Sequence, residues 1–457
     1  MHRQALVVFA RYPEPGTVKT RLACSVGAAR ACEIYEKLLR YAFGVVSDFQ
    51  KRCPETAIEI SLAAGERVDD FRRRFDLPWP VLPQKEGHLG QRMAEAFERL
   101  FAQGYSRIVL IGSDVYDICP EDLRTAFALL ECHDAVVGPT RDGGFYAIGL
   151  RRPCPEIFAY SAWGSADVLQ RTQEQLRRLG LSQAVLALRT DIDRPEDLSF
   201  LKGHWAFQNS VGVIVPSLNP PHDFQPWLEN LRRILWPEDT VCVVQGTTSP
   251  QLKKPLRENG WIWVQSPVGR GLQLNTGARC CPAEILWFLH RDCFPGLCAP
   301  YHVRKIGRDR GMALGAFRLA FSPTNRALGA VARWANWRTQ VFRLPYGDQG
   351  LFCRRETFEA VGGFGTPYLM EDVDFVRACR RHGRLWVAPE VLPTSSRRYL
   401  AHGILKASLW NHATLFAHFL GVSNEVLYRR YNKMSLAQTT PTSAQREVRG
   451  NYEIFHS

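Results

Sequence analysis

One pattern is stated twice along this chain, and it constrains the fold more than any other feature. Leu6-Val-Val-Phe-Ala10 is a short apolar run, followed by a loop from Arg11 to Gly16 that contains Pro13 and Pro15. Val211-Gly-Val-Ile-Val-Pro216 is a second such run, followed by Ser217-Leu-Asn-Pro-Pro221. Each half then has an apolar strand ending on an acid, Arg107 to Asp114 in the first and Glu284 to Asp292 in the second. Helical patterns lie between. Ala28 to Phe49 carries Ile34, Leu38, Leu39, Phe43 and Val46 on one stripe, and Gln91 to Phe101 carries Met93, Ala96, Phe97 and Leu100. Short buried strands alternating with helices require a mainly parallel sheet covered on both faces. The expected fold is therefore α/β: two tandem domains, 1–203 and 210–436, with a short linker around Lys202 to Ser210 and a polar tail at 437–457.

Composition narrows the class. With 46% apolar and 23% charged residues, the chain is neither disordered nor fibrous. No apolar run approaches the ~18 residues of a membrane span. The first run, Ala5 to Ala10, is too short for a signal-peptide core, so the expected compartment is the cytoplasm. Thirteen scattered cysteines without a Cys-x-x-Cys fit reduced thiols. The net charge of +13 is concentrated. Between Tyr301 and Pro345 stand Arg304, Lys305, Arg308, Arg310, Arg318, Arg326, Arg333, Arg338 and Arg343, against Asp309 alone. Such a segment suits an anionic small substrate, a membrane surface or nucleic acid. No RRM, KH or helix-turn-helix pattern accompanies it, so nucleic acid is not expected as a partner.

In the first half, Arg11, Gly16, Lys19 and Arg21 form a basic loop after a strand. Loop amides plus cations can hold a diphosphate or triphosphate, although the Walker spacing is absent. A solvated basic loop is the plain alternative. Asp114 ends a buried strand, where a carboxylate can hold a divalent cation or serve as a turn acid. Asp142 beside Gly143 would let a ligand approach the backbone, and Asp191 and Asp193 offer a second metal carboxylate.

Residues 5–200 resemble the family called selenodomain-associated transferase 1, within the nucleotide-diphospho-sugar transferase (GT-A) superfamily. The resemblance rests on Ala10-Arg-Tyr-Pro-Glu-Pro-Gly16, Lys19-Thr-Arg-Leu22, Gly112-Ser-Asp114, Gly138-Pro139, Asp142-Gly-Gly144, Trp163-Gly164 and Asp191-Ile-Asp193. It implies that the loop from Arg11 to Arg21 grips nucleotide phosphates, and that Asp114 with Asp193 or Asp191 holds Mg²⁺. It also allows nucleotidyl transfer to a phosphorylated acceptor. One departure is Val115-Tyr-Asp117, where the family usually has Cys-Pro-Asp.

In the second half, His290 and Asp292 at a strand end can supply one nitrogen and one oxygen ligand, or simply cap the strand. Glu371 and Asp372 precede a helix expected from Asp374 to His382. There they either complement the helix dipole or, presented by Gly362-Gly-Phe364, face a cleft. Residues 211–432 resemble selenodomain-associated transferase 2, a branch of family 2 glycosyltransferases also labelled arsenosugar biosynthesis glycosyltransferase. The match runs through Val213 to Asn219, Gly269-Arg270, Gln273, Asn275 to Ala278, Phe288 to Asp292, Gly347-Asp-Gln349, Val361 to Phe364, Met370-Glu-Asp372, Ser396 to Tyr399 and Phe419-Leu-Gly421.

That resemblance implies an inverting transferase with Mg²⁺ or Mn²⁺ and a nucleotide-diphospho-sugar donor. Asp292, with His290, would bind the metal–diphosphate. Asp372 would be the general base, with Glu371 as its substitute. Pro216, Asn219, Arg270, Gln273, Asn275, Asp348 and Gln349 would surround the donor. Apart from the resemblance, the nine cations from Arg304 to Arg343 would suit a small phosphorylated or carboxylated acceptor. Gln245 stands where the family usually has an Asp, and Pro220-Pro221 replaces Glu-Ala. The alternative is therefore a non-catalytic nucleotide- or sugar-binding scaffold.

The basic segment also holds Phe317, Leu319, Phe321, Trp334, Trp337 and Phe342. A tail helix is expected from Leu400 to Leu420, with Leu405, Leu409, Trp410, Leu415, Phe416 and Phe419. The favoured reading packs these aromatics on the sheet and lines the acceptor side of the cleft with the arginines. The other reading lays them on an anionic membrane.

Overall fold

The computed structural model describes residues 3–63, 65–159, 163, 167–217, 224–246, 260–365, 369–423 and 426–427. Asn219, Gly164, the Pro220-Pro221 pair and the tail 437–457 lie outside the described residues.

The strands of the first half are β1 (Gln4–Arg11), β2 (Ala57–Ala63), β3 (Val81–Pro83), β4 (Arg107–Gly112), β5 (Ala135–Pro139), β6 (Phe145–Leu150) and β7 (Gln183–Val185). Those of the second are β8 (Val211–Ser217), β9 (Thr240–Gln245), β10 (Ile262–Gln265), β11 (Ile285–Phe288), β12 (Met312–Ser322), β13 (Phe352–Arg354) and β14 (Arg384–Ser395). They form two seven-stranded sheets, β3-β2-β1-β4-β6-β5-β7 and β10-β9-β8-β11-β13-β12-β14. The two orders are the same permutation. In each sheet the sixth strand runs antiparallel to both neighbours, and the remaining pairs are parallel. The fold is two mostly parallel α/β sheets flanked by helices, as the repeated pattern requires.

The helices obey their patterns. Ala28–Arg52 buries Leu38, Leu39, Phe43 and Val46. Leu89–Ala102 starts on a reciprocal cap in which His88 Nδ1 accepts from the Gln91 amide and Gln91 Oε1 accepts from the His88 amide. The expected helix from Asp374 begins earlier, at Glu371, so both acids lie in its first turn. The expected helix from Leu400 to Leu420 is broken. Gly403, at φ 81°, separates Arg397–His402 from Ile404–Phe419. All thirteen cysteines are free thiols.

The two halves share a core. Trp236, Leu297, Cys298 and Tyr301 pack into the same apolar cluster as Tyr41, Phe43 and Phe49 of the first half. Polar bonds cross the same contact: Arg40 donates to the carbonyls of Arg233 and Ile234 at 2.7 and 3.1 Å, Lys37 pairs with Glu238 at 2.9 Å, and Lys305 binds Asp48. Two members of the basic segment are therefore structural, because Arg304, fully buried, pairs with Asp239 and lies over the Trp236 ring.

Candidate active sites

The first site lies at the carboxyl ends of β1 and β4. Lys19 sits in left-handed backbone (φ 49°) just before the helix Thr20–Val26, which turns its side chain inward. Its ammonium is 3.0 Å from Asp114 Oδ2 and 3.7 Å from Asp193 Oδ1, and only 5% of the side chain is exposed. Arg21 binds the other Asp193 oxygen at 3.0 Å. Burial acts to lower the Lys19 pKa, but Asp114, Asp193 and Asp191 outweigh it and raise the pKa. For Asp114, burial acts to raise the pKa and Lys19 wins by lowering it. For Asp191 the charge of Lys19 acts in the same direction but does not win. Burial, with the charges of Asp114 and Asp142, pushes it up to about 7.

The segment with the departure still supports the site through its backbone and Asp117. Val115 bridges Asp191, the Ile192 amide donates to the Asp114 carbonyl at 3.1 Å, and Asp117 accepts from the Thr190 amide at 2.9 Å. These bonds hold the loop with Asp191 and Asp193 against the end of β4. Tyr35, which motif reading missed, accepts from the Arg11 amide at 2.8 Å and lies 3.1 Å from Ser113 Oγ, tying the two strand ends together. Arg11 and Gly16 are exposed in the loop. Asp142 is occupied within its own turn, accepting from Thr140 Oγ1 and the Gly144 amide, while Gly143 takes φ 88°.

The second site surrounds a cavity of about 430 Å³. One wall carries Arg270, His290, Asp292, Asp348, Glu371 and Asp372. Asp372 Oδ2 accepts from the Gly347 amide at 2.8 Å, and Oδ1 from the Val373 amide at 2.8 Å. Met370, just before the helix, is left-handed (φ 66°). That is a strained conformation for a non-glycine residue, of the kind that clusters at functional sites. Arg270 Nε lies 3.3 Å from Glu371 Oε1. Burial pushes the Glu371 pKa up, and Arg270 opposes the shift. Burial likewise raises Asp348, with Arg338 opposing and Asp372 adding to the rise. His290 Nδ1 accepts from the Asp292 amide at 3.2 Å, and Asp292 is held by Arg397 at 2.8 Å.

Other expected donor residues face inward. Gln273 donates to the Ser217 and Val244 carbonyls, both at 2.9 Å, clamping β8 to β9. Gln349 is fully buried, accepting from Thr339 and the Tyr346 amide and donating to the Phe317 carbonyl. Asn275 has both amide atoms on the Phe364 backbone at 2.8 Å, behind the left-handed Gly362-Gly363 turn. Pro216 lines a small recess with Arg270, His290, Gly347 and Asp372. Gln245 is buried and accepts from Trp263 at 3.0 Å.

The reading of the arginines as the acceptor wall needs correction. Of the nine, only Arg338 lines the cavity, over the Tyr346 ring at 3.6 Å. Arg304 and Lys305 belong to the contact between the halves, and Arg318, Arg326, Arg333 and Arg343 are exposed. Among the described residues, no three His, Cys, Asp or Glu side chains come together as a ready metal set. No described helix is long and apolar enough to cross a membrane.

Comparison with known proteins adds the family context. Residues 48–165 match the family model described as "Uncharacterized protein conserved in bacteria (DUF2064)". A solved structure from Desulfovibrio desulfuricans G20, provisionally named a nucleotide-diphospho-sugar transferase, is 30% identical; the alignment covers 45% of this chain and 93% of that one, with a TM-score of 0.41. The chain carries a domain of the nucleotide-diphospho-sugar transferase, GT-A-like, type. A curated relative, the 3-phospho-D-glycerate guanylyltransferase of Phenylobacterium zucineum (strain HLK1), is 35% identical over 97 residues, 20% of this chain. The match spans 43% of that relative's length. The glucosyl-3-phosphoglycerate synthase of Mycobacterium tuberculosis, solved with Mn²⁺, uridine diphosphate and phosphoglyceric acid, is 14% identical over 44% of this chain and 74% of that one, with a TM-score of 0.33.

Proposed function

We propose that this GT-A-like protein is a two-domain nucleotide-sugar-dependent transferase. Its second half moves a sugar, with inversion, from a nucleotide-diphospho donor to a small anionic acceptor. Its first half, 1–203, binds a nucleotide and acts as a nucleotidyltransferase. The observation that carries this reading is the wall of Arg270, Asp292, Asp348, Glu371 and Asp372 around one cavity. The name of the curated relative, a 3-phospho-D-glycerate guanylyltransferase, supports a phosphorylated acid as the acceptor class for nucleotidyl transfer.

Asp372 receives two backbone N–H bonds, which fix its carboxylate in the cavity wall. So placed, it takes the proton of an acceptor hydroxyl as that oxygen attacks the anomeric carbon. Arg270 neutralises the neighbouring acids and offers guanidinium N–H groups to a departing diphosphate. In the first half, Lys19 places a positive charge between Asp114 and Asp193, where the resemblance puts nucleotide phosphates.

The carboxylates are of the type that takes a divalent cation, although among the described residues they do not stand together as a ready three-ligand set in either half. Their oxygens are hard donors near strand ends, with Asp191 held high by burial and by the charges of Asp114 and Asp142, which Lys19 offsets only in part. Asp114, Asp191 and Asp193 would hold the cation in one half, and Asp292, with His290, in the other. When bound, Mg²⁺ or Mn²⁺ supplies charge neutralisation of the diphosphate.

The test is hydrolysis or transfer of nucleotide-sugars by the full chain with and without Mg²⁺ or Mn²⁺, beside a thermal-shift screen of nucleotides. Metal-dependent turnover supports the enzyme. Binding without turnover leaves the scaffold reading, which rests on Gln245 being turned to Trp263.

A further inference from the structure

We propose that the paired face of the helices Arg326–Phe342 and Ile404–Phe419 docks the protein on an anionic lipid bilayer. The first observation is apolar exposure. Phe317, Leu319 and Phe321 are buried as expected, but Trp334 and Trp337 are 47% and 46% exposed, and Leu409 and Phe416 are 71% and 66% exposed. Val341, Phe342, Phe419 and Leu420 are exposed as well.

These residues form one patch. Trp334 stacks on Trp337 at 4.9 Å, Trp337 meets Phe342 edge-on at 5.9 Å, and Trp334 Nε1 donates to His412 Nε2 at 2.8 Å across the two helices. At 3.6 residues per turn, Leu409, Phe416, Phe419 and Leu420 fall on the side of their helix that carries His412. Trp334, Trp337 and Val341 share a side of the other. Contiguous exposed apolar surface of this kind marks an interaction site.

The second observation is charge. From Arg310 to Gly347 and from Val391 to Asn424 the sequence has nine lysines and arginines and no acid. Arg326 and Arg333, on the helix that carries the tryptophans, and Arg343 at its end are exposed. At the edge of the patch, Arg377 lies over the Phe419 ring at 5.4 Å and Arg380 donates to the Phe342 carbonyl at 2.9 Å. The bordering acid Asp374 lies 3.1 Å from His418.

A second copy of the chain is a poor occupant, because a self-complementary contact would press this cationic face against itself. Nucleic acid would leave Leu409, Phe416, Leu420 and Val341 without hydrocarbon. An anionic bilayer meets both needs. Aromatic and aliphatic groups enter the headgroup boundary, and arginines stay among the phosphates. With no described helix able to span, the attachment is peripheral. Trp334 belongs to both the patch and the cavity lining, so the cavity opens beside the docking face.

The experiment is co-sedimentation of the full chain with vesicles of phosphatidylcholine alone or mixed with phosphatidylglycerol, over a salt series. Three proteins are compared: the natural chain, Leu409→Ser with Phe416→Ser, and Arg326→Gln with Arg333→Gln. All substituted residues are exposed, and thermal melts check that the variants stay folded. The natural chain is expected to pellet with the anionic vesicles and not with the neutral ones. The apolar pair should abolish pelleting. The charge pair should weaken it on the order of thirtyfold and make what binding remains less salt-sensitive. The proposal is overturned if the natural chain stays in the supernatant, or if the apolar pair binds as well as the natural chain. A dimer split by the apolar pair, with no vesicle binding, overturns it in favour of a second copy.

Discussion

The Gly347 amide donates to Asp372 Oδ2 at 2.8 Å, tying the turn 347–349 to the first turn of the helix Glu371–His382. The contact has no room for a side chain. A Cβ on Gly347 would come within 2.2 Å of a terminal Arg270 nitrogen and 3.2 Å of Asp372 Oδ2. Gly347→Ala must therefore move Arg270 away from the acids. We expect transferase turnover to fall on the order of 10²-fold, as small misplacements at a reacting centre do. The donor-free protein should still melt cooperatively. Undiminished turnover would show that the Arg270 position does not matter.

Asp372→Asn should cost at least ~10² in turnover, the usual worth of a general base. It also has a structural effect. Asp372 accepts two backbone N–H bonds, one on each oxygen, and an asparagine can accept with only one. A loss of ~1–2 kcal/mol in stability should therefore accompany the kinetic loss. If Asp372→Asn keeps full turnover and Glu371→Gln does not, the base is Glu371.

In the first half, Lys19→Met leaves Asp114 and Asp193 without their shared cation. The melting temperature of the full chain should drop, and Mg²⁺ should restore more of it in the variant than it adds to the natural protein. Asp114→Ala should abolish the Mg²⁺-dependent part of nucleotide binding measured by calorimetry. Unchanged affinity would make Asp114 a structural strand-end acid.

The repeated strand pattern was readable because strands buried on both faces must be continuous apolar runs. The acids at their ends were readable for the same reason: Asp114 and Asp292 are where each run stops. The direction of an amide was not. Gln273, Asn275 and Gln349 lie in the same motifs as Arg270 and Asp372, yet their side chains hold backbone. One sequence does not distinguish an amide that faces a ligand from one that clamps two strands. The basic segment misled in a similar way. Arg304 and Lys305 find Asp239 and Asp48, and Asp48 is more than 250 residues away in sequence. The break at Gly403 was legible only as a glycine within an apolar pattern.

The shared core makes a further prediction. Gly44 faces Tyr301 of the other half, and a Cβ there would lie 2.3 Å from a ring carbon. Both residues are buried, and Tyr301 meets Tyr41 at 5.7 Å. Gly44→Val should overpack the contact and destabilise the chain by ~1–3 kcal/mol. Tyr301→Ala should leave a cavity costing ~3–5 kcal/mol. Thermal melts of the full chain check both. If neither variant changes the melt, the two halves do not rely on this contact.

The same contact buries a titrating pair. His302 Nε2 lies 3.2 Å from Glu390 Oε2, with the Lys51 ammonium 3.7 Å from that oxygen. Burial pushes the Glu390 pKa up to about 7, with Lys51 opposing, and burial together with Lys51 and Lys305 holds His302 well below its usual value. The folded chain thus keeps a proton on Glu390 that the unfolded chain has already released, so this group's contribution to stability declines as pH rises from about 4.5 to about 7. His302 acts in the opposite sense, costing stability as pH falls below about 6.5. Between those limits the two slopes oppose each other. Glu390→Gln removes one of them. Relative to the natural chain, the variant should gain stability as pH rises from 5 to 8, by roughly 3 kcal/mol at the upper end, and the gain should level off above pH 8. Denaturant melts at each pH measure the difference, and parallel curves for the two proteins would show that Glu390 titrates normally in the fold.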